Sequence, residues 1–440
     1  MSSAEKFSRY LAIVYYALAY WPRRFFGKKD KLSIGFLVEE FFHEKFRGFG
    51  GYGMTLKYVT DYFNNDPKSK VKADVILMTP LEIDGPQAES AHNADVITMS
   101  RNMRDKGGDF QRYCRMIHKQ KLDVFIGVDH FRSYEYPLMA FPSIPWVIWM
   151  KDPRDIKKWH KIASIELVRK QWGLKSMEEA KIWAQESLDS FRRIYKRGKM
   201  FGRKVVIATE ASDFISIGRS QYGLKELKPA FLSKPIPLPL MDAPSYSEKP
   251  SFMFLARLDP IKRPWIFCEL AKRFPQAEFL VVGQSNASEI MDNILARYKD
   301  VPNLKFLGRV FGKDKDSLFR RIWAVVNTSV HEGLPVSMVE GYSYGKTAVA
   351  SENPDGITAR FGFAVKEVLG DAFDQKTVDL FAEPVEKIIK GQFDREGLFR
   401  KGREYIRDVH SFEKFEATVR EIVLTSKYDH GFVVDEDYKV

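Results

Sequence analysis

Residues 331–351 read HEGLPVSMVEGYSYGKTAVAS. Just before them, Ala324–Val330 (AVVNTSV) is a short apolar run of the kind buried in a parallel sheet. Pro335 suits the first position of a helix and Gly345 suits its stop, so the order predicted is strand, loop, helix. Glu332 then falls in the loop and Glu340 inside the helix. The free amides and positive dipole end of a helix start attract anions. Two carboxylates around such a start therefore point to a ligand that brings hydroxyls as well as phosphate.

Seven residues separate Glu332 from Glu340, and a small-residue turn and short strand follow. This arrangement resembles the retaining glycosyltransferases of the glycogen-synthase and mannosyltransferase type (family 4-like). Their shared fold, GT-B, has two Rossmann-like α/β domains facing each other across a cleft. Ser251–Pro264 (SFMFLARLDPIKRP) looks like the diphosphate clamp of the same family, with Arg257 ending a strand and Lys262 opening a helix. The resemblance covers residues 245–365 well and the first half in outline. It implies that Arg257 and Lys262 stabilise the leaving diphosphate, that Glu332 contacts the donor sugar and that Glu340 accepts from the ribose hydroxyls. Gly333 allows close backbone approach, amides near Val336 and Ser337 meet a phosphate, and backbone near Gly283 and Arg309 frames the base.

The glycines of GFGGYG (Gly48, Gly50, Gly51, Gly53) follow the first strand, where family members place a loop against the donor phosphates. The same letters fit GxGxxG, the turn of a dinucleotide-dependent oxidoreductase. That turn should follow its strand directly, whereas about ten residues separate Val38 from Gly48. Gly341–Thr347 (GYSYGKT) imitates a P-loop but has three residues between its glycines rather than four, and it leads from helix to strand.

On the acceptor side the candidates are His130, at the end of DVFIGVDH, and Lys151, Asp152 and Arg154 in WMKDPRD. Many relatives carry a histidine where Lys151 stands. The three charged residues fit either an anionic acceptor or the donor sugar, or else a charged turn at Asp152-Pro153. His331 is read as structural.

At 440 residues the chain has room for two domains. Apolar runs alternating with helix-period segments give LSIGFLV, DVILMTP, VITMS, DVFIGV, WVIWM and KVVIAT in the first half, then FMFLARL, EFLVVG, LKFLGRV, AVVNTSV and TAVAS. Such alternation means parallel strands covered by helices. The proline-rich stretch Lys234–Pro250 reads as a linker. The division expected is an acceptor-side domain over residues 1–240, a nucleotide-sugar domain over 241–410, and over 411–440 a helix that the resemblance implies crosses back to the first domain, then a disordered tail. Asp435 and Asp437 in that tail are not read as a metal motif.

Two distant cysteines, Cys114 and Cys268, and no histidine cluster indicate neither a disulfide framework nor a zinc site, and a reducing cytosol fits. No metal or cofactor is expected, the nucleotide sugar being a substrate. Net charge of +12 calls for a polyanionic neighbour. No nucleic-acid-binding module is present, which leaves a basic membrane adaptor as the non-enzymatic alternative. Tyr10–Trp21 is apolar and tyrosine-rich, between Lys6 and Arg9 on one side and Arg23, Arg24, Lys28 and Lys29 on the other. It is too short to span a bilayer, so residues 6–29 either lie on an anionic membrane face or pack on the protein's own domains. The basic stretch Ile162–Lys204, with Arg192, Arg193, Lys196, Arg197 and Lys199, is read as a solvated helix face rather than a lipid-binding one. The acceptor implied is a saccharide or a lipid-linked saccharide, in polysaccharide or glycolipid synthesis.

Overall fold

The computed structural model describes residues 3–20, 31–42, 50–101, 108–285, 289–366 and 375–440. Gly48, and the basic residues Arg23, Arg24, Lys28 and Lys29, lie outside them, as do the side chains of Lys6 and Arg9.

The first body is built on strands β1 (Leu32–Val38), β2 (Val71–Thr79), β3 (Gln87–Ala91), β4 (Ala94–Ser100), β5 (Val124–Val128), β6 (Trp146–Met150), β7 (Val205–Thr209) and β9 (Ala230–Phe231), with β8 (Leu224–Leu227) set apart. They form one sheet in the order β3-β4-β2-β1-β5-β6-β7-β9. All pairings are parallel except that of β3 with β4. The six strands expected here are all present, and their Val, Ile, Leu and Phe side chains are buried on both faces, as a helix-covered parallel sheet requires. β3 (QAESA) escaped notice because it is a half-exposed edge with no apolar alternation.

The second body holds β10 (Ser251–Leu255), β11 (Glu278–Val282), β12 (Leu304–Gly308), β13 (Ala324–Asn327), β14 (Thr347–Ala350) and β15 (Gly362–Ala364). These run parallel in the order β12-β11-β10-β13-β14-β15. Each sheet thus has a switch point where successive connections turn to opposite sides, at β1/β5 in the first and β10/β13 in the second. Open α/β sheets bind ligands beyond the strand ends at such points, and here the two face each other.

The chain crosses between the bodies twice. Residues 233–236 run beside 409–411, tied by Ile236 N donating to His410 O (2.8 Å) and by His410 Nδ1 against Lys234 O (2.7 Å). The proline-rich stretch is therefore pinned at its start. Helix Phe412–Leu424 then returns to the first body, its Phe412, Phe415, Val419 and Ile422 forming one apolar stripe against Phe63 and Trp149. Phe412 stacks on Tyr62 with ring centroids 4.0 Å apart.

One expectation changes and two are filled in. The tail is ordered: β16 (Phe432–Val434) pairs antiparallel with β8, and Tyr438 packs on the first core. Its polar groups explain why the basic helix Met177–Met200 is not simply solvated. Arg192 donates to the carbonyls of Asp435 and Tyr438, and Lys196 pairs with Glu436 at 2.6 Å. Helix α1 (Ser3–Tyr20) packs on the first body through Tyr16, Ala17 and Tyr20, with Tyr16 against Phe141 at 5.0 Å. Its opposite side leaves Leu11, Tyr15 and Leu18 more than half exposed. Among the described residues no helix is long and apolar enough to cross a membrane.

Candidate functional site

Arg257 follows the end of β10 and Glu332 follows the end of β13, so neighbouring strands deliver both to one place. Loop-to-loop hydrogen bonds hold them there. Thr328 Oγ1 donates to the carbonyls of Lys262 (2.7 Å) and Arg263 (2.9 Å), Val330 N donates to Ile261 O (2.9 Å), and buried Arg263 Nε donates to Thr328 O (2.7 Å). Lys262 does not open a helix, as the sequence suggests. It ends a 3-10 turn, because Arg263 takes a left-handed φ of 47° before the helix Pro264–Arg273. Nor does the Asp259 side chain cap that turn. Its carboxylate lies 3.3 Å from Arg257 Nε.

A cavity opens above these strand ends. Arg257, Lys262, Glu332, Glu340, Gly50, Gly51, Gly283, Arg309, Val336 and Ser337 all line it, together with Lys315. Four cations against two carboxylates leave the described wall with an excess of positive charge, suited to a diphosphate. Lys262 Nζ sits 2.6 Å from Glu332 Oε1, which also accepts from Ser329 Oγ (2.6 Å) and Asn327 Nδ2 (3.2 Å). Burial pushes the Glu332 carboxyl up, but Lys262, Ser329 and Asn327 together outweigh it and hold the group below the usual range. At Gly283, with φ of 147°, a Cβ atom would stand 1.8 Å from Ala256 O, so only glycine lets this floor form.

The first body closes the cavity. Helix α2 (Gly51–Asn65) starts at its rim, and Tyr58 donates its hydroxyl to Glu340. Lys315 Nζ reaches the same Glu340 Oε1 at 2.6 Å and Tyr58 Oη at 2.9 Å. Glu40 occupies the start of α2, accepting from Tyr52 N (3.0 Å) and more weakly from Gly53 N (3.4 Å), with Arg257 Nη1 3.7 Å away. The amides a dinucleotide turn would offer to phosphate are thus taken by a carboxylate. With Phe42, Gly50, Gly51 and Met54 as the first body's part of its wall, the cavity measures about 180 Å³, below the range of roughly 300–1,000 Å³ common for ligand pockets.

The same turn of α2 faces a second cavity, of about 900 Å³, in the first body. Tyr52, Asp129, His130, Asp152 and Arg154 line it, with Trp159, Trp172 and Trp183. Asp129 accepts from Tyr52 Oη, Lys151 N (2.7 Å) and Asp152 N (3.2 Å), and burial with Asp152 nearby pushes its carboxyl up to about 6. Burial also raises the Asp152 carboxyl, but Arg154 at 2.5 Å and His331 overcome this and hold it well below its ordinary value. His331 Nε2 lies 2.5 Å from Asp152 Oδ1, a close contact outside hydrogen-bond geometry that joins the loop of Glu332 to the second cavity. His130 is buried beside Ser190 (3.2 Å), and burial lowers it to about 3, so it is neutral.

Lys151 does not join these residues. Its amine is buried away from both cavities, 2.9 Å from Thr55 Oγ1 and 3.2 Å from Glu210 Oε1, over the Trp149 ring. Glu210 holds Lys234 as well, at 2.9 Å, and burial lowers the Lys151 amine to about 8. Gly333 lines neither cavity. A Cβ there would be 1.9 Å from Lys151 O, so its close approach is to the other body's backbone.

The local sequence gave no sign of Glu40, Tyr58, Lys315, Asp129 or the tryptophan group. Among the described residues no group of three or more His, Cys, Asp or Glu side chains is placed to hold a metal ion.

Residues 242–405 match the model of a family described as glycosyl transferases group 1. No curated protein matches the chain. Among solved structures, sucrose-phosphate synthase of Thermosynechococcus elongatus is similar over 89% of this chain and 98% of its own, at a TM-score of 0.62 and 12% identity. Anabaena HepE, solved with UDP, is similar over 90% and 99%, at 0.57 and 14%. The pneumococcal O-GlcNAc transferase GtfA, solved with UDP and GlcNAc, is similar over 90% and 99%, at 0.56 and 10%. The fold is GT-B, two Rossmann-like halves across a cleft, as the resemblance implied.

Proposed function

We propose that this GT-B chain is a retaining glycosyltransferase that moves a sugar from a nucleotide-sugar donor to a hydroxyl of a saccharide or lipid-linked acceptor, in cell-surface glycan or glycolipid synthesis. One observation carries the reading: Arg257 and Lys262 meet Glu332 and Glu340 in a single cationic cavity at the β10/β13 switch point. The donor lies with its diphosphate against the two cations, its ribose on Glu340 and its sugar towards Glu332. As the glycosidic bond breaks, negative charge grows on the departing diphosphate. Preorganised cations stabilise that charge more than the ground state. The acceptor hydroxyl attacks the oxocarbenium-like carbon from the same face and passes its proton to a donor phosphate oxygen. Closure of the two halves excludes water and limits donor hydrolysis.

Helix α1 turns Leu11, Tyr15 and Leu18 outward at i, i+4 and i+7. With the basic residues that follow in sequence, this face suits the surface of an anionic bilayer, and the enzyme works there from the cytoplasmic side.

The test is a thermal-shift panel of UDP, GDP, ADP and their common sugars, since selective ligands raise apparent stability. One nucleotide class stabilises the wild type. Arg257→Ala abolishes the shift and leaves the unliganded curve nearly unchanged. If no nucleotide shifts the wild type, the donor reading fails.

A further inference from the structure

The larger cavity differs in charge from the molecule around it. Although the chain carries +12, the described wall presents six carboxylates against three guanidinium groups. Each of the three arginines already has a carboxylate of the same wall: Arg101 with Glu39 at 3.0 Å, Arg132 with Glu186 at 2.9 Å, Arg154 with Asp152 at 2.5 Å. A phosphate or carboxylate entering here must break one of these pairs and face Asp129 and Asp155, Glu135 being held by Arg193 at 2.6 Å, an unfavourable exchange in a partly desolvated space. Hydroxyl groups face no such conflict, because carboxylates accept from them.

The apolar part of the wall points the same way. Trp159 meets Trp172 edge to face at 5.9 Å and Trp183 at 6.3 Å. Trp183 is 39% exposed. Arg154 lies over the Trp159 ring at 5.3 Å and the Trp172 ring at 6.0 Å, so the exposed Trp183 beside these hydroxyl acceptors offers the face that suits a sugar ring, with its apolar C–H face and polar edges. The cavity also reaches the donor side, because one turn of α2 carries Gly51 into the donor cavity and Tyr52 into this one.

Resting on the glycosyl-transfer reading, we infer that the acceptor is an uncharged or amine-bearing saccharide seated on the Trp159–Trp172–Trp183 group, and that this cavity rejects phosphorylated, sulfated and carboxylated acceptors. This replaces the anionic acceptor, one of the readings that Lys151, Asp152 and Arg154 leave open in sequence. Lys151 is buried elsewhere and Arg154 is neutralised by Asp152.

A glycan array of neutral, amino, sialylated, sulfated and phosphorylated oligosaccharides tests it, probed with the full chain at physiological salt, with and without each of UDP, GDP and ADP. The retained glycans should be neutral or amine-bearing. Trp183→Ala should lower the retained signal roughly tenfold while its nucleotide thermal shift persists. Glu186→Gln, a half-exposed change that frees Arg132, should begin to admit sulfated glycans. Retention of mainly anionic glycans by the wild type, or of none under any condition, overturns the inference. A wild type that shows no nucleotide shift yet retains neutral glycans sinks the donor reading alone.

Discussion

Replacing Glu40 by glutamine should tighten nucleoside diphosphate binding. This carboxylate sits on the first amides of α2, 3.7 Å from Arg257 and next to Gly50, both of which line the donor cavity. A donor phosphate held by Arg257 meets its charge. Two unit charges about 4 Å apart repel by ~1 kcal/mol in water and by ~4 kcal/mol at an effective dielectric of about 20. The Arg257 side chain is 37% exposed, so the screened end of that range applies. About 1 kcal/mol corresponds to a roughly fivefold lower Kd. Glutamine keeps the shape and a carbonyl to accept from Tyr52 N, so α2 should stay capped. Isothermal titration with the nucleotide that shifts the wild type, at low and high salt, reads the effect, and the gain should shrink as salt rises. Equal or weaker binding by Glu40→Gln at low salt would refute the competition and make Glu40 a support of the donor site.

Gly333→Ala forces a Cβ into the Lys151 carbonyl, backbone against backbone, and should cost about 1–3 kcal/mol, read as a drop of roughly 2–4 °C in Tm per kcal/mol. Donor turnover should fall with it; an unchanged melting curve would show that the halves part freely there. Burial lowers Lys346 to about 7, its amine facing the carbonyls of Ser245 and Arg320. The unfolded lysine keeps its proton to near 10.5, so from pH 7 to 9 the unfolded state binds more protons and stability rises with pH, by up to about 1.4 kcal/mol per pH unit. Lys151, lowered to about 8, adds to the rise above pH 8. Urea midpoints across that range should climb in the wild type and climb less steeply in Lys346→Met, where Lys151 alone remains; a flat wild-type profile contradicts the buried amines. Liposomes with anionic lipid should float the wild type but not Leu11→Asp/Leu18→Asp, with equal melting curves; equal flotation removes α1 from membrane contact.

Much of the second body was legible because most of its strands are short apolar runs punctuated by Gly and Pro, the half-exposed β12 and the three-residue β15 being the weak ones. Arg257, Lys262, Glu332 and Glu340 sit in the loops and helix that leave those strands. Position in such a motif nearly fixes position in the cavity. Tyr58 was not legible, since its partner Glu340 lies 282 residues away and nothing near a tyrosine in a helix announces a distant carboxylate. Glu40 follows β1 and looked like any loop acid until the fold set α2 beside it. Lys151 shows the opposite failure. A charged residue at a strand end reads as functional, yet Glu210 and Thr55, from elements far off in sequence, bury its amine. The tail misled for a similar reason, because β8 supplies the pairing that its own residues cannot foretell.

Gly51 and Tyr52, neighbours in the first turn of α2, line one chamber each. Any shift of that turn on filling one chamber reshapes the other. By thermodynamic reciprocity, the factor by which an acceptor strengthens or weakens nucleotide affinity must equal the factor by which the nucleotide alters acceptor affinity. Substitutions at Tyr52 should therefore change both affinities together, a signature absent from proteins whose two ligands sit on separate scaffolding.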